Sequence, residues 1–121
     1  MRLSEHLALI RQKQADIANE ERILNFCKGQ ADASDNSSPW KAKCEAEAAK
    51  IEEDRQMLDD MKLKALNALE SQRNERAISF IINHYLAFKT YKEMEEEMYL
   101  SRSTLYRIRD EAIKLMEEIE V

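Results

Sequence analysis

The sequence predicts an all-α protein in which a long, coiled-coil-like antiparallel helical hairpin precedes a C-terminal three-helix domain. Three observations carry that expectation. Gly and Pro occur once each in 121 residues while charged residues make up 36%, which removes collagenous, low-complexity and loop-rich architectures. Valine occurs once and threonine twice, so strand-favouring stretches are almost missing beside the abundant Ala, Leu, Ile, Glu, Lys and Arg. Apolar residues recur at three- and four-residue spacing through most of the chain, the period of an amphipathic helix. A Rossmann sheet and a β-sandwich are excluded.

The first helix is expected over Leu3 to Lys28, with Leu3, Leu7, Ile10, Ile17 and Leu24 on one stripe that Gln14 and Glu21 interrupt. At 1.5 Å per residue it is a rod on the order of 40 Å long. Gly29 stands where a helix C-cap belongs, and Gln30 to Ser38 is polar, so a loop is expected there. Ser38 and Pro39 suit an N-cap and first helical residue. The second helix then carries Cys44, Ala48, Ile51, Leu58, Ala65 and Leu69 on a stripe shared with Arg55 and Lys62. Folding back through one loop buries the two stripes against each other. The polar interruptions weaken that seam, so the hairpin calls for further helices, from the rest of the chain or from a second copy.

Six of the eight aromatic residues, Phe80, Tyr85, Phe88, Tyr91, Tyr99 and Tyr106, come after residues 71–74. A domain boundary is therefore expected there, giving residues 1–70 as the hairpin, for oligomerisation or partner binding, and 71–121 as the second domain. The halves differ little in charge. Residues 1–72 hold 11 basic and 14 acidic side chains and residues 73–121 hold 8 and 10, within a total of −5.

Beyond the boundary, one helix is expected over Glu75 to Leu86 with Ile78, Ile81, Ile82 and Tyr85 inward. A two-turn helix comes next over Tyr91 to Met98, with Met94 and Met98 one turn apart and Glu93, Glu95, Glu96 and Glu97 exposed. After a tight connection at Tyr99 and Leu100, Ser101 can cap a last helix reaching about Ile119, with Leu105, Ile108, Ala112, Leu115 and Ile119 inward. Short helix, tight turn and capped helix make a helix-turn-helix. Ser101, Arg102, Ser103, Tyr106, Arg107 and Arg109 then lie on the outer side of its opening turns, where a recognition helix meets base edges and phosphates. Residues 101–114 carry four basic and two acidic side chains, net +2.

Glu93 to Met116, EMEEEMYLSRSTLYRIRDEAIKLM, resembles the helix-turn-helix of sigma factor region 4, in which a Glu-Ile start, a Leu-Gly-Val-Ser turn and an Arg-rich helix ending in Glu-Ala-Leu recur in register. The wider arrangement, a helical hairpin, a Tyr-containing helix, a Lys-Thr-Tyr-Lys-Glu connection and this motif, is similar to phage and prophage transcriptional regulators of the ArpU and RinA late-gene activator kind. The resemblance implies a regulator that binds promoter DNA through Arg102, Ser103, Tyr106 and Arg107. Two positions depart from the sigma pattern. Tyr99 replaces the turn glycine, which is costly if φ is positive, and Tyr106 replaces a basic residue, so the base preference does not transfer.

Four glutamates beside the presumed docking side oppose phosphate binding. Either a dimer doubles the contacts, or the module binds beside RNA polymerase, whose own contacts raise the effective concentration. Other classes remain in view: a phage DNA-packaging adaptor resembling a small terminase subunit, which usually places the motif first, and a protein-binding module with no DNA contact. No catalytic role is expected, because there is no glycine-rich phosphate loop and no Cys/His pair at useful spacing, and His84 reads as a core-edge residue. No cofactor is expected, and no metal, since Cys27, Cys44, His6 and His84 lack ligand spacing. The two cysteines fall near the same end of the hairpin, where a reduced pair suits a cytoplasmic protein better than a disulfide. A cytoplasmic location is expected because no apolar run nears the ~20 residues of a membrane span and Arg2, Glu5 and His6 interrupt the start.

Overall fold

The computed structural model describes all residues from Met1 to Val121. Five α-helices and one π-helical turn occur in order: α1 (Leu3–Ala33), α2 (Ser38–Glu70), α3 (Glu75–Ile81), the π turn (Ile82–Leu86), α4 (Tyr91–Met98) and α5 (Arg102–Glu118). The protein is all-helical; its one β feature is an isolated bridge between Arg2 and Glu120. No helix is long and apolar enough to cross a membrane.

The chain forms two compact units, Gln12–Asp60 and Met1–Arg11 with Met61–Val121. The division does not fall at residues 71–74. Leu3, Leu7 and Ile10 from the start of α1, and Ala65 and Leu69 from the end of α2, belong to the same unit as α3–α5 and are buried in it. A core assembled from distant segments leaves no compositional mark at the point where it divides.

In the Gln12–Asp60 unit, α1 and α2 run antiparallel, as their cross-pairs show: Lys13 with Asp54 (3.5 Å), Glu20 with Lys50 (3.8 Å), Glu21 with Arg55 (2.6 Å), and the Phe26 ring edge-on to Trp40. Helix α1 runs five residues past its expected end. Gly29 does not cap it, because no glycine takes positive φ, and the loop shrinks to residues 34–37. Lys41 N–H donates to Ser37 O at 2.9 Å, so α2 also begins a residue early.

Ile17, Cys27, Ile51 and Leu58 are buried in this unit, and so are the carboxylates Glu20 and Glu47. Leu24 and Cys44 are only half-buried and Ala48 is exposed. Glu47 has turned inward in place of Ala48. One carboxylate oxygen of Glu20 and one of Glu47 are buried without a hydrogen-bond partner. The interruption at Glu21 and Arg55 is a cross-helix ion pair, worth little at an exposed site. Both cysteines are free thiols.

The other unit holds Phe80, Ile81, Met94, Leu105, Ile108 and Ala112 essentially sealed from solvent, with α5 packed across α3 and α4. Its first residues are tied to its last: Leu3 N–H donates to Ile119 O and Val121 N–H to Met1 O, both at 2.8 Å. His6, also buried, has Nε2 2.8 Å from Met61 O, so its Nε2–H donates there.

The helix expected over Glu75 to Leu86 is α-helical only to Ile81. Ala87 N–H donates to Ile82 O at 2.8 Å, the five-residue spacing of a π turn. The extra residue rotates the backbone beyond it, so Leu86 rather than Tyr85 is buried. Ile78 and Ile82 are half-buried and the deep positions are Ala77, Phe80 and Ile81. The turn ends at Phe88 with φ 57°, where Lys62 Nζ lies 4.7 Å from the ring centroid. His84 is half-buried: Nδ1–H donates to Lys89 O (2.8 Å), and its ring packs among Phe80, Tyr85 and Tyr91.

Candidate nucleic-acid interface

Short polar caps fix where α4 and α5 begin. Thr90 caps α4 in a reciprocal box: Glu93 N–H donates to Thr90 Oγ1, and Thr90 N–H donates to Glu93 Oε1, each at 3.2 Å. Helix α4 stops at Tyr99, which adopts φ 55°, ψ 41°. A left-handed backbone at a tyrosine costs about 1–2 kcal/mol. The side chain is 92% exposed, so no packing offsets that cost. Ser101 caps α5, accepting Thr104 N–H at 3.3 Å.

From that cap, Leu105, Ile108 and Ala112 turn inward as expected, while Met116 is buried in the place expected for Leu115, which is only half-buried. Arg102, Ser103, Tyr106 and Arg107 lie on the opposite, exposed side. Ser101 serves the helix rather than the surface, since its Oγ is also within 2.9 Å of Thr104 Oγ1 and 3.2 Å of Ser103 Oγ. Arg107 makes no ion pair. Arg109 is half-buried, donates to Asp110 (3.2 Å), and places its guanidinium carbon 4.9 Å from the Tyr106 ring centroid.

Arg102 is held from two sides. Its Nε–H donates to Glu95 Oε1 at 2.7 Å and its Nη2 to Glu95 Oε2 at 3.3 Å. The guanidinium carbon also sits 5.6 Å from the Tyr91 ring centroid. Glu95 foremost, then the Tyr106 hydroxyl, holds this guanidinium even more firmly protonated than usual. Tyr91 and Tyr106 meet edge to face at 5.4 Å, so the two rings lie in a row between the Arg102 and Arg109 guanidinium groups across α4 and α5. Arg11, beyond the helix-turn-helix, makes a similar contact, its guanidinium carbon 5.9 Å from the Tyr85 ring centroid.

Of these, Tyr91, Tyr85, Arg11 and Glu95 escaped sequence reasoning. Each joins the surface from another helix, and only the aromatic clustering after residue 79 hinted at them. The acidic side of α4 is also less acidic than it reads. Glu93 is spent in the capping box, Glu95 on Arg102 and Glu97 on Lys89, leaving Glu96 unpaired. The unit that carries this surface has twelve basic and twelve acidic side chains, net zero. The Gln12–Asp60 unit, with seven and twelve, carries the whole −5. Compared with family models, curated proteins and solved structures, the chain matches none of them.

Proposed function

We propose that this protein is a sequence-specific DNA-binding transcriptional regulator of the phage or prophage type, which reads a promoter element with α5 and assembles as a homodimer through the hairpin. The observation that carries the reading is the capped helix α5 after a left-handed turn, with Arg102, Ser103, Tyr106 and Arg107 exposed opposite its buried stripe. A generic bundle helix needs neither the turn nor the arginines at its opening. The neutral charge of this unit within an acidic chain also favours it, because α5 meets phosphates without the hairpin's surplus of carboxylates on the same unit. The exposed side chains Ile23, Phe26 and Met57 on the Gln12–Asp60 unit offer apolar surface for assembly. Docking of RNA polymerase against the hairpin is the other way such a module gains affinity.

The test is a mobility shift on promoter-derived duplexes. Replacing Arg102 and Arg107 by Ala should weaken binding and lower its salt dependence by up to about two phosphate contacts per subunit. Unchanged binding removes α5 as the reading helix. A ring-sized mass in solution, in place of a dimer, points to a DNA-packaging adaptor instead.

A further inference from the structure

The geometry points to Glu95 as a positioning residue that presents the outer edge of Arg102 to a guanine in the major groove, an inference that rests on the DNA-binding reading. Arg102 is the first residue after the Ser101 cap, at the end of α5 where a recognition helix meets base edges. Its contact with Glu95 is side-on: Nε–H and one Nη2–H are spent on the two carboxylate oxygens. Three of the five guanidinium N–H groups remain, with the Tyr106 hydroxyl beside them, and two of the three, one on Nη1 and one on Nη2, form a fork on the edge away from Glu95. That fork is the donor pair that matches guanine O6 and N7.

A long arginine side chain on a surface ordinarily samples many rotamers, and ordering it on binding costs free energy. Here the ordering is already done. The carboxylate fixes one edge of the guanidinium, and the Tyr91 ring lies under it at 5.6 Å. Glu95 is itself half-buried on α4, with its side chain 28% exposed against 46% for Arg102, so it is the less mobile partner. A bare phosphate clamp gains nothing from this arrangement. Any lysine or free arginine neutralises a phosphate, and a carboxylate hydrogen-bonded to the same guanidinium repels it.

The experiment selects duplexes with a randomised core against the full-length protein and its variants, then compares the enriched sites. Wild type should enrich a site with one guanine that Arg102→Ala no longer selects. Glu95→Ala should lose preference for that same guanine by about tenfold, the discrimination of one bidentate pair, while binding to unselected duplex stays the same or tightens. Glu95→Gln, which keeps an acceptor for Nε–H, should recover part of the preference. If Arg102→Ala loses the guanine and Glu95→Ala keeps it, Glu95 does not position the arginine although DNA reading stands. If Glu95→Ala tightens binding to every sequence equally with no change in preference, the carboxylate is a competitor for phosphate and the inference is overturned. Failure of the wild type to enrich any sequence overturns the DNA-binding reading itself.

Discussion

Each unit is stabilised in its own way. Only four of the nineteen buried apolar side chains, Ile17, Cys27, Ile51 and Leu58, lie in Gln12–Asp60, alongside two buried carboxylates. The other unit has the remaining fifteen and a continuous aromatic cluster. Burial of apolar area is the main stabilising term in folding, so the hairpin unit relies more on helix propensity, whereas the unit with α5 has a packed core of its own. The unit with the packed core is the one that carries the row of arginines and tyrosines, and the DNA-binding role proposed above would benefit from a surface built on such a core.

The sharpest way to test this contrast is to remove one large side chain from each unit. Phe80→Ala, at a fully buried ring packed on His84, Tyr85 and Tyr91, should cost about 3–5 kcal/mol in chemical denaturation. Ile51→Ala in the hairpin should fall at or below about 2 kcal/mol, since a two-helix seam relaxes around the gap. Equal losses would show that the hairpin is packed as tightly as the other unit.

A smaller effect separates the units by pH. Burial, first of all, and then the hydrogen bond to Asp54 raise the Glu20 carboxyl above its ordinary 4.5, with Lys50 opposing and Glu47 adding to the rise. Asp54 is lowered below 3.8, chiefly by that same hydrogen bond, with Lys13 and Lys50 assisting. The stabilisation from Glu20 is complete below its unfolded value near 4.5 and is lost as pH rises through its raised folded value. That from Asp54 is present above 3.8 and is lost as pH falls through its own lowered value. The pair is therefore best satisfied holding one proton. Glu20→Gln, which keeps a donor toward Asp54 without a buried charge, should raise the hairpin's stability at neutral pH by about 1 kcal/mol and flatten the decline in its Tm from weakly acidic to neutral pH. An unaltered pH profile would place the Glu20 carboxylate in contact with water.

The smallest expected effect is at Gly29. It lies inside α1, and a methyl group added there meets nothing within 4 Å. Gly29→Ala should stabilise the hairpin by about 0.5–1 kcal/mol in denaturant titration. A destabilised variant would mean that this face of α1 is covered in the native assembly.

Much of the fold was legible in the sequence. The bounds of α4, Tyr91–Met98, and the Ser101 cap of α5 were readable because each rests on local chemistry within three or four residues. The outward set Arg102, Ser103, Tyr106 and Arg107 could be read from the 3.6-residue period. Gly29 misled because glycine punctuates a helix only where the backbone turns left-handed, which no pattern states. Ile78, Ile82 and Tyr85 misled because the π turn breaks the period midway. The inward Glu20 and Glu47, the grouping of residues 3–10 with α3–α5 and the hold of Glu95 on Arg102 depend on which helices meet, and hydrophobic patterning is blind to that.

The backbone pairing of Leu3 with Ile119 and of Val121 with Met1 brings the two ends of this chain out side by side. A donor and an acceptor fluorophore attached there would sit within efficient energy-transfer range only while α1 and α5 are docked. Loss of transfer then times the melting of the arginine-bearing unit separately from the loss of helicity, to which both units contribute.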